Sequence, residues 1–195
     1  KDATNEKRGY GNDLCRCKFA VMNPERTMSL PAYQTAAGVA DILMHTLERY
    51  MTPEKEPMLL TDGIAEGLMR TVMACGRKLM REPNDYEARA EVMWAGALSH
   101  NGLTGAGGGK GDWACHQLGH ELSAKFGLTH GASLTAMWGS WARYVYKDWA
   151  ARFAQLAVCV LGVTPLESDE ETALAGIEEL EEYFWALELP TNFEE

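Results

Sequence analysis

The sequence predicts an all-α fold, and three observations carry that expectation. Apolar residues recur at helical spacing from Leu30-Pro31 almost to the end of the chain; Gly, Pro and Asn punctuate the helical runs; and a strand pattern is confined to Lys18–Met22. Lys1–Asp13 is polar and glycine-containing and reads as a loop. The stretch KFAVM, Lys18–Met22, reads as a short strand ended by Asn23-Pro24. One strand cannot satisfy its own hydrogen-bond ladder, so this one is expected to pair with another chain or with a sheet outside these residues. The chain also starts without Met, so residues 1–26 are expected to remain from a preceding domain, with 27–195 forming the helical one.

Pro31 suits a first helical turn, and the run to about Met51 carries Ala36, Ala37, Val39, Ala40, Leu43, Met44 and Leu47 at core spacing before Thr52-Pro53 ends it. A second helix is expected from about Thr61-Asp62 to Arg81, with Ile64, Leu68, Val72 and Leu79 inward, and Pro83-Asn84 breaks the chain. A third, Asp85 to Ser99, buries Ala88, Val92, Met93 and Ala95 and ends near Asn101-Gly102. GAGGGKGDW, residues 105–113, fails both phosphate-loop fingerprints: Lys110 occupies the third-Gly position of GxGxxG, and Gly111 stands where a P-loop needs Ser or Thr. It follows a helix, and reads as a connection ending in an Asp112 N-cap. Leu134–Tyr146, Trp149–Leu161 and Glu170–Leu187 complete the helices. Met137, Trp138 and Trp141 read as core, Glu178, Glu179, Glu181 and Glu182 as a solvated face, and Pro190 as a stop.

Composition narrows the function. The 195 residues are 46% hydrophobic, enough for one good core, and carry a net charge of −10 with a pI near 5.0. That balance, with scattered Lys and Arg, argues against nucleic acid or an anionic membrane as partner. No apolar run approaches the roughly 20 residues of a membrane span, and the first residues lack a signal-peptide core. Five cysteines in no regular framework suggest free thiols in the cytoplasm, and Cys15-Arg-Cys17 lacks the spacing of a metal pair.

The chemistry concentrates in GDWACHQLGHELSAKFGLTHGAS, Gly111–Ser133, which holds His116, His120 and His130, three of the five histidines. His116 and His120 are four apart and share a helix face, as do Asp41 and His45 upstream. Asp41 and His45, joined for instance by His116 and His130, would offer a divalent ion three nitrogens and one oxygen. The resulting net charge of about +1 favours a bound anion such as an alkoxide or hydroxide. Glu121 follows His120 but no second histidine completes HExxH, which weakens a zinc-protease reading. His100 reads as an ordinary helix-end histidine.

The runs AAGVADILMHTLERYMT, NGLTGAG, GDWACHQLGHELSAKFGLTHGAS and WARYVY resemble the iron-containing alcohol dehydrogenase family, most of all its NAD(P)-dependent butanol dehydrogenase branch. The resemblance extends from KFAVMNPE to the last helix. It implies a two-domain enzyme: an N-terminal α/β domain that binds NAD(P), and a C-terminal, all-helical, dehydroquinate-synthase-like domain that holds the metal. Only the second is matched here, with its C-terminus expected to be truncated and 1–26 left from the first. The family's metal ligands fall on Asp41, His45, His116 and His130, and its non-ligand histidine beside metal and nicotinamide falls on His120, implying substrate orientation or proton transfer. The implied ion is Fe(II), with Zn(II) as the alternative, and the implied reaction is metal-assisted hydride transfer between a small primary alcohol or aldehyde and NAD(P). The family also implies a homodimer. Since the glycine-rich pyrophosphate loop is absent from these residues, this chain is expected to be inactive alone. A non-catalytic metal-binding helical module, and a dehydroquinate-synthase-like lyase or metallohydrolase, are the alternative readings.

Overall fold

Small residues make Ala32–Tyr50, helix α1, the centre of the fold. Ala36, Ala37, Val39 and Ala40 let neighbouring helices approach closely, and with Leu43, Met44, Leu47 and Tyr50 they are all buried. Each of the larger side chains contributes roughly 1.5–3 kcal/mol by leaving water. In this computed structural model, which describes Thr4, Tyr10 and residues 12–51 and 58–194, α1 packs against α2 (Leu59–Arg81), α3 (Tyr86–His100) and α5 (His130–Val145). Helix α4 (Ala114–Phe126) pairs with α5. Helix α6 (Ala150–Leu156), which runs on into a π-helical turn at Ala157–Leu161, pairs with α7 (Asp169–Ala186). Side chains cap two of the helices: Asp85 accepts from Ala88 N–H at 2.8 Å ahead of α3, and Ser168 accepts from Glu171 N–H at 3.2 Å ahead of α7.

A second packed region joins α5, α6 and α7. Trp138 stands 5.4 Å from Trp141 and 6.1 Å from Phe153, ring centre to ring centre, and both tryptophans are buried in the core. The glutamate face of α7 is only partly solvated, because Arg143 binds Glu181 through two 2.6 Å bonds and so ties α5 to α7. Arg152 does the same for α6 and α2, gripping both oxygens of Asp62 at 2.7 Å.

Two expectations need correction. No strand occurs among the described residues: Lys18–Met22 is irregular, with Phe19 82% and Val21 86% exposed. A strand exists only through its ladder, and nothing among the described residues offers this segment an edge. Helix α5 begins at His130, not Leu134, which places that histidine in a helical first turn. The expected stop at Thr52-Pro53 and most of the Lys1–Asp13 loop lie outside the described residues.

Candidate metal centre

Asp41 and His45 project from one face of α1, one turn apart. Two backbone contacts bring the later histidines to them. Gly111 adopts φ +69° and lies so close to Glu48 O that a Cβ would collide with it. Asp112 N–H can then donate to Glu48 O (3.0 Å) and Met51 O (3.1 Å) at the end of α1, while its side chain accepts from Ala114 N–H at 2.8 Å and starts α4. Expected as the N-cap, Asp112 instead stands one residue before it, Trp113 holding that position without a side-chain cap bond, and its backbone latches α4 to α1. At Gly131, a Cβ would strike Ala37 O, so only glycine lets the first turn of α5 rest on α1. His116 and His130 arrive beside Asp41 in consequence.

The convergence is centred on one oxygen. Asp41 Oδ1 lies 3.7 Å from His45 Nε2, 3.5 Å from His116 Nε2 and 3.5 Å from His130 Nε2. Donor atoms of Asp41, His45 and His116 all lie within 4.8 Å of one another. Asp41 Oδ1 and His116 Nε2 face each other in the interior, yet neither makes a hydrogen bond. Buried polar atoms left in that way require a partner, and a divalent cation bound by imidazole nitrogens and a carboxylate oxygen fits this donor set.

Burial alone would raise the Asp41 carboxyl, but His100 and His116, with His45 and His130 nearby, hold it far below the usual carboxylate range. Burial, together with the charge of His116 and His100, pushes His45 down to about 3, so its imidazole is neutral at pH 7. Burial also opposes a charge on His116, but the carboxylates of Asp41 and Glu48 outweigh it and push the ring up to about 9. Burial raises Glu48, partly offset by its bonds to His116. The two carboxylates thus favour positive charge on His116, while burial and that charge disfavour it on His45.

His120 occupies the next turn of α4, its ring stacked 5.0 Å from His130 and edge-on to His116 at 6.3 Å. Three neighbours escaped the sequence reading. Glu48 is only 1% exposed and accepts from both Nδ1 and the backbone N–H of His116; its spacing of seven from Asp41, on the same helix face, was the available signal. Trp113 sets its ring edge-on to His45 (5.5 Å) and His116 (5.3 Å). His100 does end its helix, but its ring reaches the pocket and lies 3.8 Å from that of His45.

Residues 35–195 match the C-terminal part of the Fe-containing alcohol dehydrogenase family. The chain belongs to that family. It is 40% identical to NADH-dependent butanol dehydrogenase A of Clostridium acetobutylicum, over 98% of this chain and 49% of that protein. It is 36% identical to NADPH-dependent aldehyde reductase YqhD of Escherichia coli, again over 98% of this chain and 49% of the relative. The crystal structure of Escherichia coli K-12 YqhD superposes with a TM-score of 0.92 at 35% identity, covering 98% of this chain and 48% of that one. NADH-dependent butanol dehydrogenase A of Thermotoga maritima gives 0.92 at 34% identity, covering 97% and 46%. This member of the Fe-containing alcohol dehydrogenase family therefore spans about half the length of the relatives it matches. Its helical architecture is that of the family's C-terminal domain. Among the described residues no helix is long and apolar enough to cross a membrane.

Proposed function

We propose that this chain is the metal-holding part of an NAD(P)-dependent alcohol dehydrogenase that interconverts small primary alcohols and aldehydes. The observation that carries the reading is the ring of three imidazole Nε2 atoms within 3.5–3.7 Å of the single oxygen Asp41 Oδ1. Asp41, His45, His116 and His130 would hold the ion, Fe(II) in keeping with the family, with Zn(II) the alternative that such ligands bind more tightly. When bound, the ion supplies Lewis acidity to the substrate oxygen, and NAD(P) exchanges the hydride with its carbon.

The protein's own groups do the rest. Glu48 keeps a proton on His116 Nδ1 and so leaves Nε2 as the donor toward the ion. His120, next to His130 but outside the donor ring, orients the substrate oxygen or carries its proton. Trp113 shields one side of His45 and His116 from water. In this reading residues 1–26 remain from a nucleotide-binding domain that supplies most of the NAD(P) contacts, residues 27–195 form the metal-binding domain, and the enzyme works as a cytoplasmic homodimer without nucleic-acid or membrane partners.

Elemental analysis of the full chain purified without air tests this directly. The expected result is about one iron or zinc per chain, lost in Asp41→Ala; butan-1-ol-dependent reduction of NAD(P) is expected only when these residues are joined to a nucleotide-binding domain, and is lost there with the same substitution. Absence of metal from the unsubstituted protein would overturn the reading.

A further inference from the structure

Arg89, on α3, is a buried charge without a counter-charge. It is 3% exposed, and a guanidinium keeps its proton in a protein interior even though burial pulls its pKa down. Its Nε donates to Pro83 O at 2.9 Å and its Nη1 to Thr35 Oγ1 at 3.0 Å, both neutral acceptors. Among the described residues Nη2 meets no acceptor, and no carboxylate offsets the charge. Thr35, on α1, is 5% exposed; its hydroxyl accepts from Arg89, and among the described residues nothing takes its proton. Two unused donors therefore stand side by side, linked by the bond from Nη1 to Oγ1. Buried charges are as a rule paired and buried donors satisfied. Arg89 and Thr35 line a pocket of about 210 Å³ between α1 and α3, where apolar side chains, among them Leu30, Val39, Ile42 and Val92, form most of the wall. Gly38 lines its exposed side, and a Cβ there would meet nothing within 4 Å.

We propose that this pocket binds a short aliphatic monocarboxylate, its oxygens taking the free donors of Arg89 Nη2 and the Thr35 hydroxyl, and its tail lying against Leu30, Val39, Ile42 and Val92. The guanidinium calls for an anion, and a carboxylate accepts from two neighbouring donors at once. The apolar walls select against phosphate or sulfate, whose remaining oxygens would lose water and gain no donor. None of Asp41, His45, His116 and His130 lines the pocket, so the inference stands apart from the metal reading.

The test is an NMR titration of the chelator-treated chain with pentanoate, with pentan-1-ol as the tail without the charge and phosphate as a charge without the tail. Pentanoate is expected to bind once per chain, at least roughly 10-fold more tightly than either control. Arg89→Met, which puts an apolar side chain of similar length in the same place, should abolish binding. Thr35→Val should weaken it roughly 10- to 100-fold, and Thr35→Ser, which keeps the hydroxyl, should restore it. Gly38→Leu suits a helix and enters open space, so it should block the pocket while Arg89 and Thr35 stay intact. That variant keeps the test decisive if the polar ones fold poorly. Asp41→Ala should bind pentanoate as the unsubstituted chain does. No saturable binding by the unsubstituted chain overturns the inference, as does unchanged binding by Arg89→Met or Gly38→Leu. Loss of binding in Asp41→Ala overturns it by moving the carboxylate to the metal centre, and phosphate binding as tight as that of pentanoate overturns the choice of ligand.

Discussion

Glu48 and His116, on different helices, are joined twice: the glutamate accepts from the backbone N–H of His116 at 3.2 Å and from its ring Nδ1. The first bond fixes where α4 begins relative to α1, and the second fixes which ring nitrogen is available to an ion. Glu48→Gln should therefore keep the fold and weaken Zn(II) or Co(II) binding by roughly 10- to 100-fold in chelator competition. Glu48→Ala should in addition lower the unfolding free energy by roughly 1–3 kcal/mol, because it strands two buried donors. Equal metal affinity in Glu48→Gln and the unsubstituted chain would remove Glu48 from the site.

The histidines of α4 should separate by readout. His116→Ala is expected to abolish metal retention after dialysis, far more than His100→Ala does. His120→Ala should retain its metal and, in the enzyme that joins these residues to a nucleotide-binding domain, lose roughly 10²- to 10⁴-fold in the rate of alcohol oxidation. Loss of metal from His120→Ala would make it a ligand.

Gly131→Ala tests the seating of α5 on α1. The new methyl would meet the Ala37 carbonyl, which belongs to a packed helix and cannot retreat cheaply. Thermal and urea melts should show a loss of roughly 1–3 kcal/mol, and metal affinity should fall with it as His130 moves off Asp41. Unchanged melts and affinity would mean that α5 tolerates a shift.

Acid sensitivity should trace in part to Asp62. Burial would raise its carboxyl, but the two-bond grip of Arg152 outweighs burial and lowers it. A lowered carboxyl stabilises the fold above its unfolded value of about 4, and that stabilisation disappears as pH falls from there through the folded value. Urea melts at pH 5 and pH 3 should thus differ more for the unsubstituted chain than for Asp62→Ala. That variant should also cost roughly 3 kcal/mol at neutral pH by leaving Arg152 without its carboxylate.

What could be read in advance was local. Four-residue spacings placed Asp41 with His45 and His116 with His120 because a helix repeats every 3.6 residues whatever surrounds it. Asp85 announced a helix start because a short oxygen-bearing side chain can satisfy a free N–H within its own turn. The Lys18–Met22 strand was misread for the complementary reason, since its alternation describes a segment able to pair and says nothing about whether a partner edge is present. Even the start of α5 was missed, because Gly131 looks like a loop residue until Ala37 is found against it.

By itself, then, the sequence determined the helical class, the helix order and the two faces that carry the site residues, all set by chemistry within a turn or two of the chain. Only the tertiary structure decided that three Nε2 atoms meet at Asp41 Oδ1, that Glu48 fixes the proton of His116, and that the ring of His100 lies beside that of His45. Those meetings depend on how α1, α3, α4 and α5 cross, and the crossings are set by backbone contacts at Gly111 and Gly131 between segments tens of residues apart.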